Sequence, residues 1–117
     1  KIVNFNEYQK FAKSTDFHTP KKEKKIFGNL FAYPTFGITG EAGEFADKIK
    51  KVYRDHDGKL TPEMKHDLVL ELGDILWYMA KMARALGVSL DEVARLNIKK
   101  IKSRQKRGVI LGNGDHR

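Results

Sequence analysis

The chain contains no cysteine, which excludes a disulfide framework and any thiolate metal site. A reducing compartment is compatible with that, and a cytoplasmic location is the expectation. Long apolar runs are missing too. No uninterrupted stretch approaches the ~20 residues of a membrane span, and no charged-then-apolar leader opens the sequence, so a soluble protein with no membrane partner is expected. Solenoid-type repeats and low-complexity segments are absent. Acidic residues are outnumbered, 15 against 23 lysines and arginines, and the formal net charge of +8 with a pI near 9.7 implies affinity for polyanions. His18, His56, His66 and His116 lack the paired spacing of a zinc site. No glycine loop precedes a Lys and a Ser or Thr in the pattern of a P-loop.

What remains is a single domain of 117 residues, long enough to bury an ordinary core, and its periodicity is helical. Asn4 or Asn6 caps a first helix running to about Ser14, with Phe5, Tyr8, Phe11 and Ala12 along one side. His18 to Phe27, with Pro20 and the run Lys21-Lys22-Glu23-Lys24-Lys25, shows no sustained apolar period and reads as a mobile connection or a short polar helix, a solvated stretch in preference to a binding site. A second helix runs from about Pro34 to Asp55, a turn follows at His56 to Lys59, and Thr61-Pro62 opens a third that ends near Leu86-Gly87. Ser89 with Glu92 forms a capping box for a fourth helix reaching roughly Arg104. The fold class is therefore all-α, with four main helices and an irregular tail from Gly108.

Two acidic signatures organise this frame: Gly40-Glu41-Ala42-Gly43-Glu44 in the second helix and Glu71-Leu72-Gly73-Asp74 in the third. Each sets two carboxylates three residues apart, neighbours on one helical face. At ~100° per residue, Ile38, Ala42, Phe45, Ile49 and Val52 fall within ~40° of one line, a core stripe. Glu41, Glu44 and Lys48 lie ~60–120° to one side of it. Leu68, Leu72, Ile75, Met79 and Met82 repeat the stripe, with Glu71, Asp74 and Tyr78 on the matching flank. Antiparallel folding about Gly58 puts both acidic flanks on one rim, their mean levels ~3 Å apart. Gly37, Gly40 and Gly43 weaken the second helix and permit close approach of a backbone, a ligand or a packed side chain.

Isolated Glu-x-x-Glu pairs are common surface decoration; two pairs at one level form an anionic cage that requires cations. Oxygen-only ligands suit Mg²⁺, with Mn²⁺ as the other fitting ion. A metal shared between carboxylates and phosphate oxygens polarises phosphorus and activates water, so the chemistry suggested is phosphoanhydride hydrolysis. The fourth helix is strongly basic and supplies charge for a polyphosphate, or else presents a solvated face. The third helix is apolar nearly all round, with Val69, Leu70, Gly73, Leu76, Trp77 and Ala80 on its far side, which places it centrally or at an interface.

Together these residues resemble the MazG-like family of all-α nucleoside triphosphate pyrophosphohydrolases. The likeness rests on Gly40 to Glu44, on Glu71 and Asp74 followed by Ile75-Leu76-Trp77-Tyr78, on Tyr8-Gln9 and Lys50-Lys51, and on Asn97, Lys100 and Arg104 of the fourth helix. It implies a helical bundle completed by oligomerisation as a homodimer or homotetramer. It also implies Mg²⁺ held by Glu41, Glu44, Glu71 and Asp74, and cleavage of a nucleoside triphosphate to the monophosphate and pyrophosphate. By the same resemblance Asn97, Lys100 and Arg104 contact the triphosphate, with Lys48 a helper from the rim geometry. Lys21 to Lys25 and Phe45 depart from the family pattern beside the expected base pocket. The competing reading is a basic nucleic-acid-binding or regulatory module of the same fold without catalysis. It has no need for four filled acidic positions and no recognisable nucleic-acid motif, so nucleic acid is not the expected partner.

Overall fold

In the computed structural model, which describes residues 2–117, the described residues form five helices and no strand: α1 Phe5–Ser14, α2 Pro20–Phe27, α3 Ala32–His56, α4 Pro62–Ala85 and α5 Leu90–Arg107. The ends are set by local chemistry. Asn4, Thr19, Thr61 and Ser89 each accept a hydrogen bond from a first-turn amide, at Glu7, Lys22, Met64 and Glu92. Asn29 Oδ1 accepts from the amides of Phe31 and Ala32 at 2.8 and 2.9 Å and starts α3.

Of the two readings of this stretch, connection or short helix, the structure has the helix, α2, closed by Gly28 in the left-handed conformation. Its polar run masked it: Thr19-Pro20 is a helix start, and Glu23, in the middle of the lysines, is 5% exposed.

α3 and α4 form the principal pair. Tyr33 meets Lys81, the Gly37 backbone meets Tyr78, Glu41 meets Asp74 and Glu71, and Lys48 meets Glu71. Rising numbers on α3 against falling numbers on α4 are the register of an antiparallel hairpin. α1 packs against α4 and α5, and α2 against α3. Ala12, Ala80, Ala83 and Leu90 form a buried cluster with Tyr8, Leu76, Trp77 and Val88 around it. Gln9 clamps this junction: its amide donates to the Ala80 and Val88 carbonyls at 3.3 Å, and its oxygen accepts from Leu90 N at 3.1 Å.

Two readings of the helix faces are corrected. The line of α4 turned toward α3 carries Leu68, Glu71, Tyr78 and Lys81, whereas Leu72 and Met79 of the expected stripe stay 52% and 39% exposed, and Ala42 is exposed on α3. Trp77, read as part of an apolar face open to another copy, is covered by α1 and donates to Thr15 Oγ1 at 2.8 Å. The physical reason is that α4 is apolar on two sides, so periodicity alone does not say which side takes which neighbour.

Val69 and Leu70 of that far face are exposed, as are Leu72 and Met79 of α4 and Leu96, Ile98 and Ile101 of α5, each at 39–55%. The radius of gyration is 17.3 Å, against about 13 Å for a compact domain of this length.

Candidate functional site

Glu41, Glu71 and Asp74 bring carboxylate oxygens within 4.8 Å of one another across the α3–α4 pair. Glu41 is there because α3 runs on from its close approach at Gly37, four residues earlier. A Cβ at Gly37 would lie 2.1 to 2.4 Å from three atoms of the Tyr78 ring. Glu71 faces α3 as the buried residue between Leu68 and Ile75 on α4. Glu44 is exposed one turn beyond Glu41 and outside the three-carboxylate group, but near enough for its charge to act on Glu41 and Lys48. Lys48 Nζ sits 3.0 Å from Glu71 Oε1. Gly40 and Gly43 have nothing within 4 Å of a notional Cβ, so only Gly37 of the glycine series serves a close approach within the chain.

Electrostatics divides the cluster. Burial first, then the hydrogen bond shared with Glu71 and the charges of Asp74, Glu71 and Glu44, hold the Glu41 carboxyl above its usual range. The Lys48 hydrogen bond, helped by that from Glu41, keeps Glu71 below its usual range despite its burial. Of the two, Glu41 therefore takes up a proton first as pH falls, and Glu71 gives up its charge later. Burial, the contact with Tyr33 and the nearby carboxylates push the Tyr78 phenol up to about 12, so Tyr78 remains a neutral donor beside the cluster. Tyr8 of α1 is raised by burial and by Asp74, which places α1 at the same site.

A hard cation fits these residues. The donors are all carboxylate oxygens, and Glu71 Oε2 is buried with no hydrogen-bond partner, a costly state for a charged acceptor unless a cation meets it. The metal-free protein registers the cost in its pH dependence. A carboxyl whose folded pKa is raised binds more protons folded than unfolded, so stability falls as pH rises through the window above the ordinary glutamate value. Glu41→Gln is therefore expected to melt above the wild type near neutral pH in chelator, and to lose the stabilisation that added Mg²⁺ gives the wild type. Thermal denaturation by circular dichroism reads both.

The basic residues of α5 are placed differently. Asn97 is exposed. Lys100 Nζ lies 3.2 Å from Asp115 Oδ1, and Arg104, itself buried, donates to Gly114 O at 3.2 Å and Asp115 Oδ1 at 3.3 Å. Hydrogen bonds from Lys100 and Arg104 hold the Asp115 carboxyl below its usual range. The tail is tied to α5 by Arg107 Nη2, which donates to Arg117 O at 2.7 Å, and is closed on itself by the Arg117 guanidinium, which donates to the Val109 and Ile110 carbonyls at 3.1 and 2.7 Å. α5 does not pack against α3, and no hydrogen bond or ion pair among the described residues joins Asn97, Lys100 or Arg104 to Glu41, Glu44, Glu71 or Asp74. The structure thus gathers Glu41, Glu71, Asp74 and Lys48, sets Glu44 beside them, and leaves the α5 group apart. Tyr78 was missed as a site residue in the sequence, although its place one turn after Asp74 put it on the acidic flank.

The family model described as the MazG nucleotide pyrophosphohydrolase domain matches residues 35–109, which takes in α4 and α5 whole and nearly all of α3. The chain is 51% identical over 86 residues to a protein of Mycobacterium phage L5 called Gene 37 protein, covering 74% of this chain and 75% of that one. No solved structure matches.

Proposed function

We propose that this chain, which belongs to the MazG nucleotide pyrophosphohydrolase family, hydrolyses a nucleoside or deoxynucleoside triphosphate between the α- and β-phosphates, yielding the monophosphate and pyrophosphate in a Mg²⁺-dependent reaction. The observation that carries the reading is the convergence of Glu41, Glu71 and Asp74 with Glu71 Oε2 buried and unpartnered. Glu41, Glu71 and Asp74 would hold the ion, with Glu44 completing the set. Bound there, Mg²⁺ would neutralise phosphate oxygens and make phosphorus more electrophilic.

The chain's own groups supply the rest. Glu44 is solvent-accessible and unpaired among the described ion pairs, which supports it as the group that accepts a proton from an attacking water. The water oxygen forms the new bond to phosphorus, and the bridging oxygen departs with the pyrophosphate. Lys48, held by Glu71, offers a positive charge to the phosphates as they approach. The neutral Tyr78 hydroxyl is a further donor at the rim.

Assembly belongs to the same reading. Apolar side chains exposed together on α4 and α5 favour association, and a homodimer or homotetramer would cover them. It would also give the α5 residues Asn97, Lys100 and Arg104 a route to a carboxylate cluster. Analytical ultracentrifugation is expected to show a dimer or tetramer that Leu70→Glu with Leu96→Glu dissociates; a wild-type monomer would contradict the assembly. Because Asp115 occupies Lys100 and Arg104, a phosphate must replace its carboxylate. Asp115→Asn is expected to lower KM for the triphosphate severalfold, the modest effect of an exposed pair, and an unchanged or raised KM would remove these two residues from substrate binding. The reaction itself is tested by pyrophosphate release from a panel of ribo- and deoxyribonucleoside triphosphates with and without Mg²⁺. Release only with metal supports the reading, and silence across the panel with folded protein contradicts it.

A further inference from the structure

A second constellation lies on the strip of α4 that carries Asp74. Asp74, Tyr78, Lys81 and Ala85 follow one another at helical spacing, and Lys81 and Ala85 line a cavity of about 430 Å³ closed by Asp16, His18, Pro20 and Glu23, within the range of small-ligand pockets, about 300–1,000 Å³. Seven residues separate Asp74 from Lys81, ~10 Å along the helix. The cluster and cavity are joined by Tyr33, whose ring is 6.0 Å from Tyr78 and 5.3 Å from Lys81 Nζ.

The cavity wall is charged and dry. The Lys81, Asp16 and Glu23 side chains are 5%, 6% and 6% exposed. Lys81 bridges Asp16 and Glu23, and Arg84 Nη2 reaches Asp16 Oδ2 at 2.7 Å. Two cations against two carboxylates balance, as a purely structural network requires. Such a network does not account for its leftover valences. Lys81 Nζ lies 2.7 Å from Glu23 Oε1 off the direction of a hydrogen bond, so that buried oxygen has an ionic neighbour and no aimed donor, and Arg84 Nη1 is buried with no partner at all. An unsatisfied acceptor and an unsatisfied donor on the wall of an open cavity are features of a polar ligand site.

We infer that this cavity is the base pocket of the pyrophosphohydrolase reading, on which the inference rests, and that Glu23 and Arg84 select guanine. A nucleotide with its phosphates at Glu41, Glu71 and Asp74 has its base about one sugar further along α4, toward the level of Lys81 and Ala85 that line the cavity. A carboxylate there accepts N–H donors and repels ring acceptors. Guanine sets two donors side by side, N1–H and the 2-amino group, with O6 next to them for an arginine. Adenine and cytosine would turn an unprotonated ring nitrogen toward the carboxylate, and uracil offers a single N–H between two carbonyls. His18 lines the same cavity and gives the base an aromatic face to lie on.

The test compares kcat/KM for GTP, ITP, ATP, CTP and UTP, and for the deoxy forms, in the wild type, Glu23→Gln and Arg84→Gln, with GMP binding measured separately by calorimetry in chelator. Circular dichroism controls for folding. GTP is expected to lead, ITP, which lacks the 2-amino group, to fall between GTP and ATP, and the GTP-to-ATP ratio to drop about tenfold or more in Glu23→Gln, as loss of a charged hydrogen bond implies. Arg84→Gln, which leaves Glu23 and Lys81 in place, is expected to lower the same ratio. Turnover with another base preferred, or a ratio unmoved in both variants, overturns the inference while leaving the hydrolase reading standing. If no triphosphate is turned over, the hydrolase reading fails by itself. GMP binding that Glu23→Gln weakens would then still support the pocket, and GMP binding that is absent or insensitive would overturn it.

Discussion

Replacing Glu71 with glutamine is expected to abolish turnover while leaving the helices intact. Glu71 is the centre of the α3–α4 cluster: its Oε1 pairs with Lys48 at 3.0 Å, its Oε2 is buried and unpartnered, and its carboxylate lies within 4.8 Å of ligand atoms of Glu41 and Asp74. The Lys48 contact favours its charged form. Glutamine preserves the shape and removes the charge. Its amide N–H groups would also point at the place a cation takes. A loss of at least ~10²–10³-fold in kcat is expected, the range seen when one preorganised electrostatic partner is removed from a reacting centre. Helical circular dichroism unchanged from the wild type would separate this effect from unfolding. Activity within tenfold of the wild type would take the cluster out of the chemistry.

Gly37→Ala is expected to cost more than any other single methyl added to α3. Its Cβ would stand 2.1 to 2.4 Å from the Cδ1, Cε1 and Cγ atoms of Tyr78, so either the ring turns away or the helices separate. Overpacking of this kind costs about 1–3 kcal/mol. Alanine gains about 1 kcal/mol of helix propensity over glycine, which offsets part of that. A net destabilisation of up to about 2 kcal/mol is the expectation, read by chemical denaturation. A weakened response to Mg²⁺ should accompany it, since Glu41 sits one turn along α3 from the displaced contact. Gly43→Ala meets nothing within 4 Å and is expected to be neutral or stabilising in the isolated chain. Equal stability of the two variants would contradict the close approach.

These expectations rest on features that differed in how far the sequence revealed them. Helix ends were legible because each is written in two or three adjacent residues, such as Thr61-Pro62 or Ser89 with Glu92. The pairing of Glu41 with Glu71 and Asp74 was legible because spacing and the turn at Gly58 bring the two acidic signatures to one level. Glu44 was read as an equal member of the set, and the structure sets it one turn outside. The face of α4 was not legible, since a helix apolar on two sides offers no periodic reason to prefer α1 or α3 as the neighbour of Trp77. Nor was the Asp16–Glu23–Lys81–Arg84 network. Lys81 and Arg84 are separated from Asp16 by 65 and 68 residues, and only the folding of α1 and α2 back onto α4 turns three exposed-looking charges into buried ones. The hold of Asp115 on Lys100 and Arg104 depends on a tail with glycines at positive φ, Gly112 and Gly114, whose path no periodicity describes.

Whether the α3–α4 carboxylates serve a metal-dependent cleavage between the α- and β-phosphates can be read by ³¹P NMR of a nucleoside triphosphate in the presence of the protein, first in chelator and then after Mg²⁺ is added. No change is expected in chelator, and with Mg²⁺ the three triphosphate resonances are expected to disappear with matched growth of monophosphate and pyrophosphate signals. Diphosphate and inorganic phosphate as the products, or cleavage that proceeds in chelator, would contradict it.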